Sequence, residues 1–133
     1  LNPTVGDLTG NSRLIREAVD HARLHGAELV VCSELVICGY PPKDLLLREG
    51  FVEACDRAVN RLASEIDPSI GVLVGHPTRQ GVPENRMANA CSLLIGGGIE
   101  TTTQKLLLPN YDVFDERRYF RPADRVVPMA FKG

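Results

Sequence analysis

Apolar residues fall into two kinds of run along this chain, and the contrast between them lays out most of the fold. At Leu14, Ile15, Ala18, Val19 and Ala22 they recur at helical spacing. A helix is therefore predicted from an N-cap at Asn11 or Ser12 up to Gly26, a residue suited to the position just past a helix end. The turn formers of "NPTVGDLTGN" make the residues before it a loop. A second helix is predicted over 51–66, with Val52, Cys55, Val59, Leu62, Ala63 and Ile66 on one side and Asp67-Pro68 as its stop.

Elsewhere the apolar runs are continuous or alternate, which is strand behaviour. Strands are predicted at 29–32, at "IGVLVG" with a break at His76-Pro77, at "NACSLLIGGG" ending in a triple-glycine turn, and at "ETTTQKLLLP". The last two form a hairpin. A short helical turn at 44–47 follows the Tyr40-Pro41-Pro42 turn, and "RQGVPENRM" is a loop. Helices alternating with apolar strands, followed by a hairpin, predict an α/β layered domain with a mixed sheet.

Composition narrows the class. At 133 residues the chain makes one domain, 1–133, with 44% hydrophobic and 24% charged residues and a net charge of −2. That balance argues against a nucleic-acid surface. The one basic cluster, "DERRYFRPADR", interleaves Asp115, Glu116 and Asp124 and reads as a self-paired surface. No apolar run approaches the ~18 residues of a membrane span. Four cysteines, Cys32, Cys38, Cys55 and Cys91, form no CxxC pair, and three sit in apolar patterns, so a reducing cytoplasmic location is expected. His21 and His25 share a helical face without a third ligand, so no metal site is expected. The chain opens at Leu1 and stops just after an apolar run, so both ends read as cuts.

Two charged residues interrupt strand patterns. Glu34 follows "LVVCS" and precedes "LVIC", and Lys105 lies between "TTTQ" and "LLLP". Carboxyl ends of strands border the ligand crevice in open α/β sheets, which suits a catalytic acid at Glu34. A salt-bridged edge carboxylate and a snorkelling edge-strand lysine are the structural alternatives.

The stretches "LNPTVGDLTGN", "SELVICGYPPKDLLLR", "NACSLLIGGG" and "KLLLPNYDVFDERRYF" resemble, in order and spacing, the N-terminal glutaminase domain of glutamine-dependent NAD synthetases. That domain is a branch of the nitrilase (carbon–nitrogen hydrolase) superfamily. The resemblance implies part of an α-β-β-α sandwich, incomplete at both ends. Within a Glu-Lys-Cys triad it makes Glu34 the general base and Lys105 the catalytic lysine. It makes Tyr40 and Tyr111 pocket tyrosines near L-glutamine, and Glu116 a second acid near the lysine. Ser33 stands where the family has proline. The nucleophilic cysteine is implied beyond Gly133, and none of the four cysteines present matches it, so residues 1–133 alone are expected to be inactive.

Other implications concern what lies outside these residues. ATP and Mg2+ belong to a synthetase domain of the same polypeptide, no cofactor is expected here, and the "GGG" turn is not a P-loop. A homo-oligomer is implied. The chemistry is amide hydrolysis: a carboxylate activates a thiol of ordinary pKa near ~8.5. A fixed ammonium then stabilises the developing oxyanion by about 3 kcal/mol. The alternatives are another amidase of the superfamily and a non-catalytic α/β module in which Glu34 and Lys105 form a structural ion pair.

Overall fold

The computed structural model describes residues 1–83 and 86–132; Glu84 and Asn85 of the predicted loop, and Gly133, lie outside them. Helix α1 spans Leu8–Leu24, strand β1 Leu29–Val31, helix α2 Phe51–Glu65, and strands β2, β3 and β4 Gly71–Thr78, Ala88–Ile95 and Gly98–Gln104. The strands form one open sheet in the order β1-β2-β3-β4. β1 and β2 run parallel, and the other neighbours are antiparallel, so the sheet is mixed as expected. α2 packs on β2 and β4, and α1 packs beside α2. Their apolar stripes, Ile15 and Val19 on α1 and Val52, Cys55, Val59 and Leu62 on α2, close one core over Val72, Val74 and Leu94. Among the described residues no helix is long and apolar enough to cross a membrane.

Helix α1 starts earlier than its apolar spacing predicts. Asp7, not Asn11 or Ser12, caps it, its carboxylate accepting the Gly10 N–H at 2.8 Å. Asn11 is buried inside the helix instead. Its amide accepts the Thr4 N–H and donates to the carbonyls of Thr4 and Ile37, tying the N-terminal loop to the segment after β1. At the other end the Gly26 N–H returns to the Arg23 carbonyl, with Gly26 at φ +79°, as predicted for a residue past the helix end.

Strand β2 does not break at His76-Pro77 but runs through it to Thr78. The ladder explains why. Gly71 donates to Glu28, while Leu73 and Gly75 accept from Cys32 and Ile37, so the odd residues of β2 bond toward the β1 side. Pro77 is odd, and β1 has already ended there, so no ladder bond needs its missing N–H. The β3–β4 turn is the two residues Gly96-Gly97, at φ +64° and +83°, the left-handed pair a tight hairpin requires. Gly98 is already the first residue of β4.

β4 stops at Gln104, so Lys105 lies one residue past the strand and not within it, and 106–109 bends away outside the sheet. Glu34 likewise lies three residues past β1, in a turn over 34–38 whose Leu35, Val36 and Ile37 are buried. The C-terminal stretch returns across the second sheet face. Arg121 donates to Met87, Ala123 donates to Lys105, and Phe131 lies over Gly71.

Candidate active site

Strand alternation places Gly75, Asn89, Cys91 and Thr103 on the face opposite the helices. On that face they line a recess of about 380 Å³ together with Cys32, Ser33, Glu34 and Lys105. Glu34 reaches it because the turn after β1 rests directly on β2. A Cβ built at Gly75 would stand 2.6 Å from the Leu35 nitrogen, 2.8 Å from the Ser33 oxygen and 3.0 Å from the Glu34 Cα. Only glycine allows this approach. The turn is also held in an unfavourable conformation, because Leu35 sits at φ +50°. A left-handed leucine costs on the order of 1–2 kcal/mol and persists only where its surroundings over-determine it.

Lys105 is fixed through its backbone: its N–H donates to the Asn89 carbonyl at 2.8 Å and its carbonyl accepts from Ala123 at 3.0 Å. Its Nζ then donates to Glu34 Oε1 at 2.7 Å and to Glu116 Oε1 at 3.0 Å. Glu116 comes from a 3₁₀ turn at Glu116–Arg118, anchored by its own N–H on the Pro109 carbonyl. A second 3₁₀ turn, Lys43–Leu47, is pinned to this region by Tyr119, whose hydroxyl donates to Asp44 at 2.6 Å. Tyr40 precedes that turn, joined to Pro41 by a cis peptide. Tyr40 and Glu116 line an adjoining recess of about 250 Å³ with Leu35, Phe114 and Asp115.

The electrostatics follow from two carboxylates sharing one ammonium. Burial raises the Glu116 pKa, and the nearby Glu34 charge adds to this against the lowering effect of Lys105. Burial works against the charged form of Lys105, but its hydrogen bonds to Glu34 and Glu116 prevail and its pKa is raised. Tyr40 is raised by burial and by the Glu116 and Glu34 charges, which places its ring within their field. Glu116 is 6% exposed, and among the described residues its buried Oε2 has no hydrogen-bond donor.

Of the five residues singled out in the sequence, Glu34, Lys105, Glu116 and Tyr40 are brought together. Tyr111 is not: it is 69% exposed, packs edge-on to Phe114 at 5.7 Å, and borders a separate recess with Arg117. The thiols that line the recess with Glu34 and Lys105 are those of Cys32 and Cys91. Burial and the neighbouring Cys91 push Cys32 up to about 11, and burial also raises Cys91, so neither supplies thiolate at neutral pH. Two contributors escaped the sequence reading. Asn89 Nδ2 donates to Glu34 Oε1 at 2.5 Å, and Gly75 forms the floor of the Glu34 turn. Among the described residues no group of three or more His, Cys, Asp and Glu side chains comes together to hold a metal ion.

Comparison with known proteins points in the same direction as this geometry. No family model matches the chain. It is 44% identical to a glutamine-dependent NAD(+) synthetase of Synechocystis sp., over 100% of the chain and 25% of that protein. It is 37% identical to one of Thermotoga maritima, over 96% of the chain and 22% of that protein. The chain thus spans about a quarter of the length of the curated relatives it matches. Among solved structures, the glutamine-dependent NAD+ synthetase of Acinetobacter baumannii, in complex with ADP, superposes with a TM-score of 0.90 at 27% identity. That match covers 100% of this chain and 24% of the other. An amidase from Nesterenkonia sp. shares the fold, with a TM-score of 0.80 at 24% identity over 99% of this chain and 49% of the amidase.

Proposed function

We propose, from the premise that this chain is homologous along its length to the glutamine-dependent NAD(+) synthetases and carries part of the nitrilase-superfamily fold, that it supplies the acid–lysine half of a glutaminase centre. The single observation that carries this reading is the Glu34–Lys105–Glu116 cluster, with one ammonium held 2.7 and 3.0 Å from two carboxylates at the rim of an open recess. Glu34 takes the proton of an attacking thiol. Lys105 stabilises the negative charge that grows on the carboxamide oxygen of L-glutamine. Tyr40 and Glu116 line the adjoining recess of about 250 Å³, into which the rest of the substrate reaches. The freed ammonia serves the amidation of nicotinic acid adenine dinucleotide in a synthetase domain of the same polypeptide, where ATP and Mg2+ bind; no step through them involves these residues. A homo-oligomer and a cytoplasmic location belong to the same reading.

In this reading the nucleophile lies outside residues 1–133, because none of Cys32, Cys38, Cys55 and Cys91 matches the position that the resemblance implies for it, and burial raises the pKa of Cys32 and Cys91, the two that line the recess. Glutamate release from L-glutamine tests both parts. A protein extended to the length of its relatives turns over, and E34Q or K105A lowers kcat by about 10²–10⁴-fold; residues 1–133 alone release none. Unchanged kcat in E34Q sinks the assignment of the base, and sustained turnover by 1–133 sinks the external nucleophile.

A further inference from the structure

We infer that Asn89 is a positioning residue that holds both charged groups of the site and selects Glu34 Oε2 as the oxygen that takes the proton. The inference deepens the glutaminase reading and rests on it.

Asn89 stands on β3 opposite Pro77 and is 4% exposed. Its side chain and its backbone act on different partners. The amide Nδ2 donates to Glu34 Oε1 at 2.5 Å, while the backbone carbonyl accepts the Lys105 N–H at 2.8 Å. One residue therefore sets the separation between the acid and the lysine. The orientation of the amide follows from the network, since the flipped form would set Oδ1 against a carboxylate oxygen.

Glu34 Oε1 receives two donors, Asn89 Nδ2 and Lys105 Nζ at 2.7 Å. Among the described residues no N–H donates to Oε2; the Glu116 carboxyl, which stands close enough to interact with Glu34, is only an acceptor when ionised. An oxygen saturated by two short hydrogen bonds is a poor proton acceptor, and the free oxygen of the same group is the better one. The Glu34 side chain is 41% exposed at the edge of an otherwise buried turn, and Lys105 alone would leave it free to swing about a single contact. A neutral amide adds the second contact without adding charge. A second cation in its place would hold the carboxylate more tightly and weaken it as a base.

The experiment has two arms. In the protein 1–133, N89D sets two carboxylates together and lowers the melting midpoint. The double variant N89D/E34Q restores an amide–carboxylate pair with the roles exchanged and recovers half or more of that loss. Additive midpoints overturn the contact. If N89D does not fold, the side-chain amide ¹⁵N–¹H resonances of Asn89 decide the same point: they move in E34Q, and unmoved resonances overturn it. In the extended protein, N89L lowers glutamine kcat about 10²-fold while KM changes less than about 3-fold, as a misplaced base does. A kcat within about 3-fold of the parent overturns the positioning role. An extended parent that hydrolyses no glutamine removes the glutaminase reading and leaves the first arm to judge the contact by itself.

Discussion

Two polar clusters lie on opposite faces of one sheet, and they are finished to different degrees. Against α2, His76 is 3% exposed, its Nδ1 bonds the Pro77 carbonyl at 3.2 Å, and its Nε2 meets Ser92 Oγ at 2.8 Å. Ser92 in turn meets Thr102 Oγ1 at 2.7 Å, and Asp56 stands 3.7 Å from Nδ1. One tautomer satisfies the chain: Nδ1–H donates to Pro77, Nε2 accepts from Ser92, and Ser92 accepts from Thr102. On the other face, among the described residues, Glu34, Lys105 and Glu116 leave a buried oxygen without a donor, sit beside a left-handed leucine, and need a glycine beneath them. A closed network stabilises the fold; an open one with strain around it is the pattern expected of a site that works on something.

The sharpest way to break the contrast is at Gly75, which belongs to the open face only. G75A drives a methyl group into backbone atoms of residues 33–35, which cannot move aside as a side-chain end can. A loss of about 3 kcal/mol by urea unfolding is expected, the upper end for overpacking, together with displacement of Glu34 from Lys105. A variant as stable as the parent removes the claim that the turn is held against the strand.

An effect of intermediate size comes from the closed face. Burial lowers the His76 pKa below its ordinary 6.5, with Asp56 and the Pro77 carbonyl acting against this. The unfolded chain then takes up a proton near pH 6.5 that the folded chain refuses. Stability is therefore full above that pH and falls as pH drops through 6.5 toward the folded value. The melting midpoint is expected to decline between pH 7 and pH 5.5 in the parent and to stay flatter in H76Q. A parent midpoint that is level across that range would show that His76 is not held neutral by its surroundings.

How much of this was visible in the chain depended on whether a residue violated its local pattern. Glu34 and Lys105 stood out because each puts a charge into an apolar run. Glu116 and Tyr40 were reached only through resemblance, since a glutamate among arginines and a tyrosine before two prolines are ordinary surface residues. Asn89 was hidden by its place at the start of a β-rich stretch, where a polar residue reads as the strand's edge. Gly75 was hidden because a glycine closing "GVLVG" looks like the end of a strand, and the next proline reinforces that reading. The expected break in β2 failed because the fate of a proline depends on which neighbour its N–H would have faced, and that is set by strand order. The early start of α1 was masked by Thr9 and Gly10, which favour turns and here follow an Asp7 cap.

The smallest effect on stability, and the most telling for the contrast, is expected at Glu116. Burial and the Glu34 charge raise its pKa above the ordinary 4.5 despite Lys105. The sign is opposite to that of His76. A raised carboxyl contributes stability that is complete below pH 4.5 and is lost as pH rises through the folded value. Replacing it with a neutral amide of the same shape therefore removes a cost that exists only at higher pH. E116Q is expected to match the parent near pH 4 and to melt no lower, and by a small margin higher, at pH 8, while glutamine turnover in the extended protein falls. If Glu116 were a structural partner of Lys105 and nothing more, E116Q would instead lower the midpoint at pH 8. The open face would then be as closed as the other, and its unpartnered oxygen would mark no function.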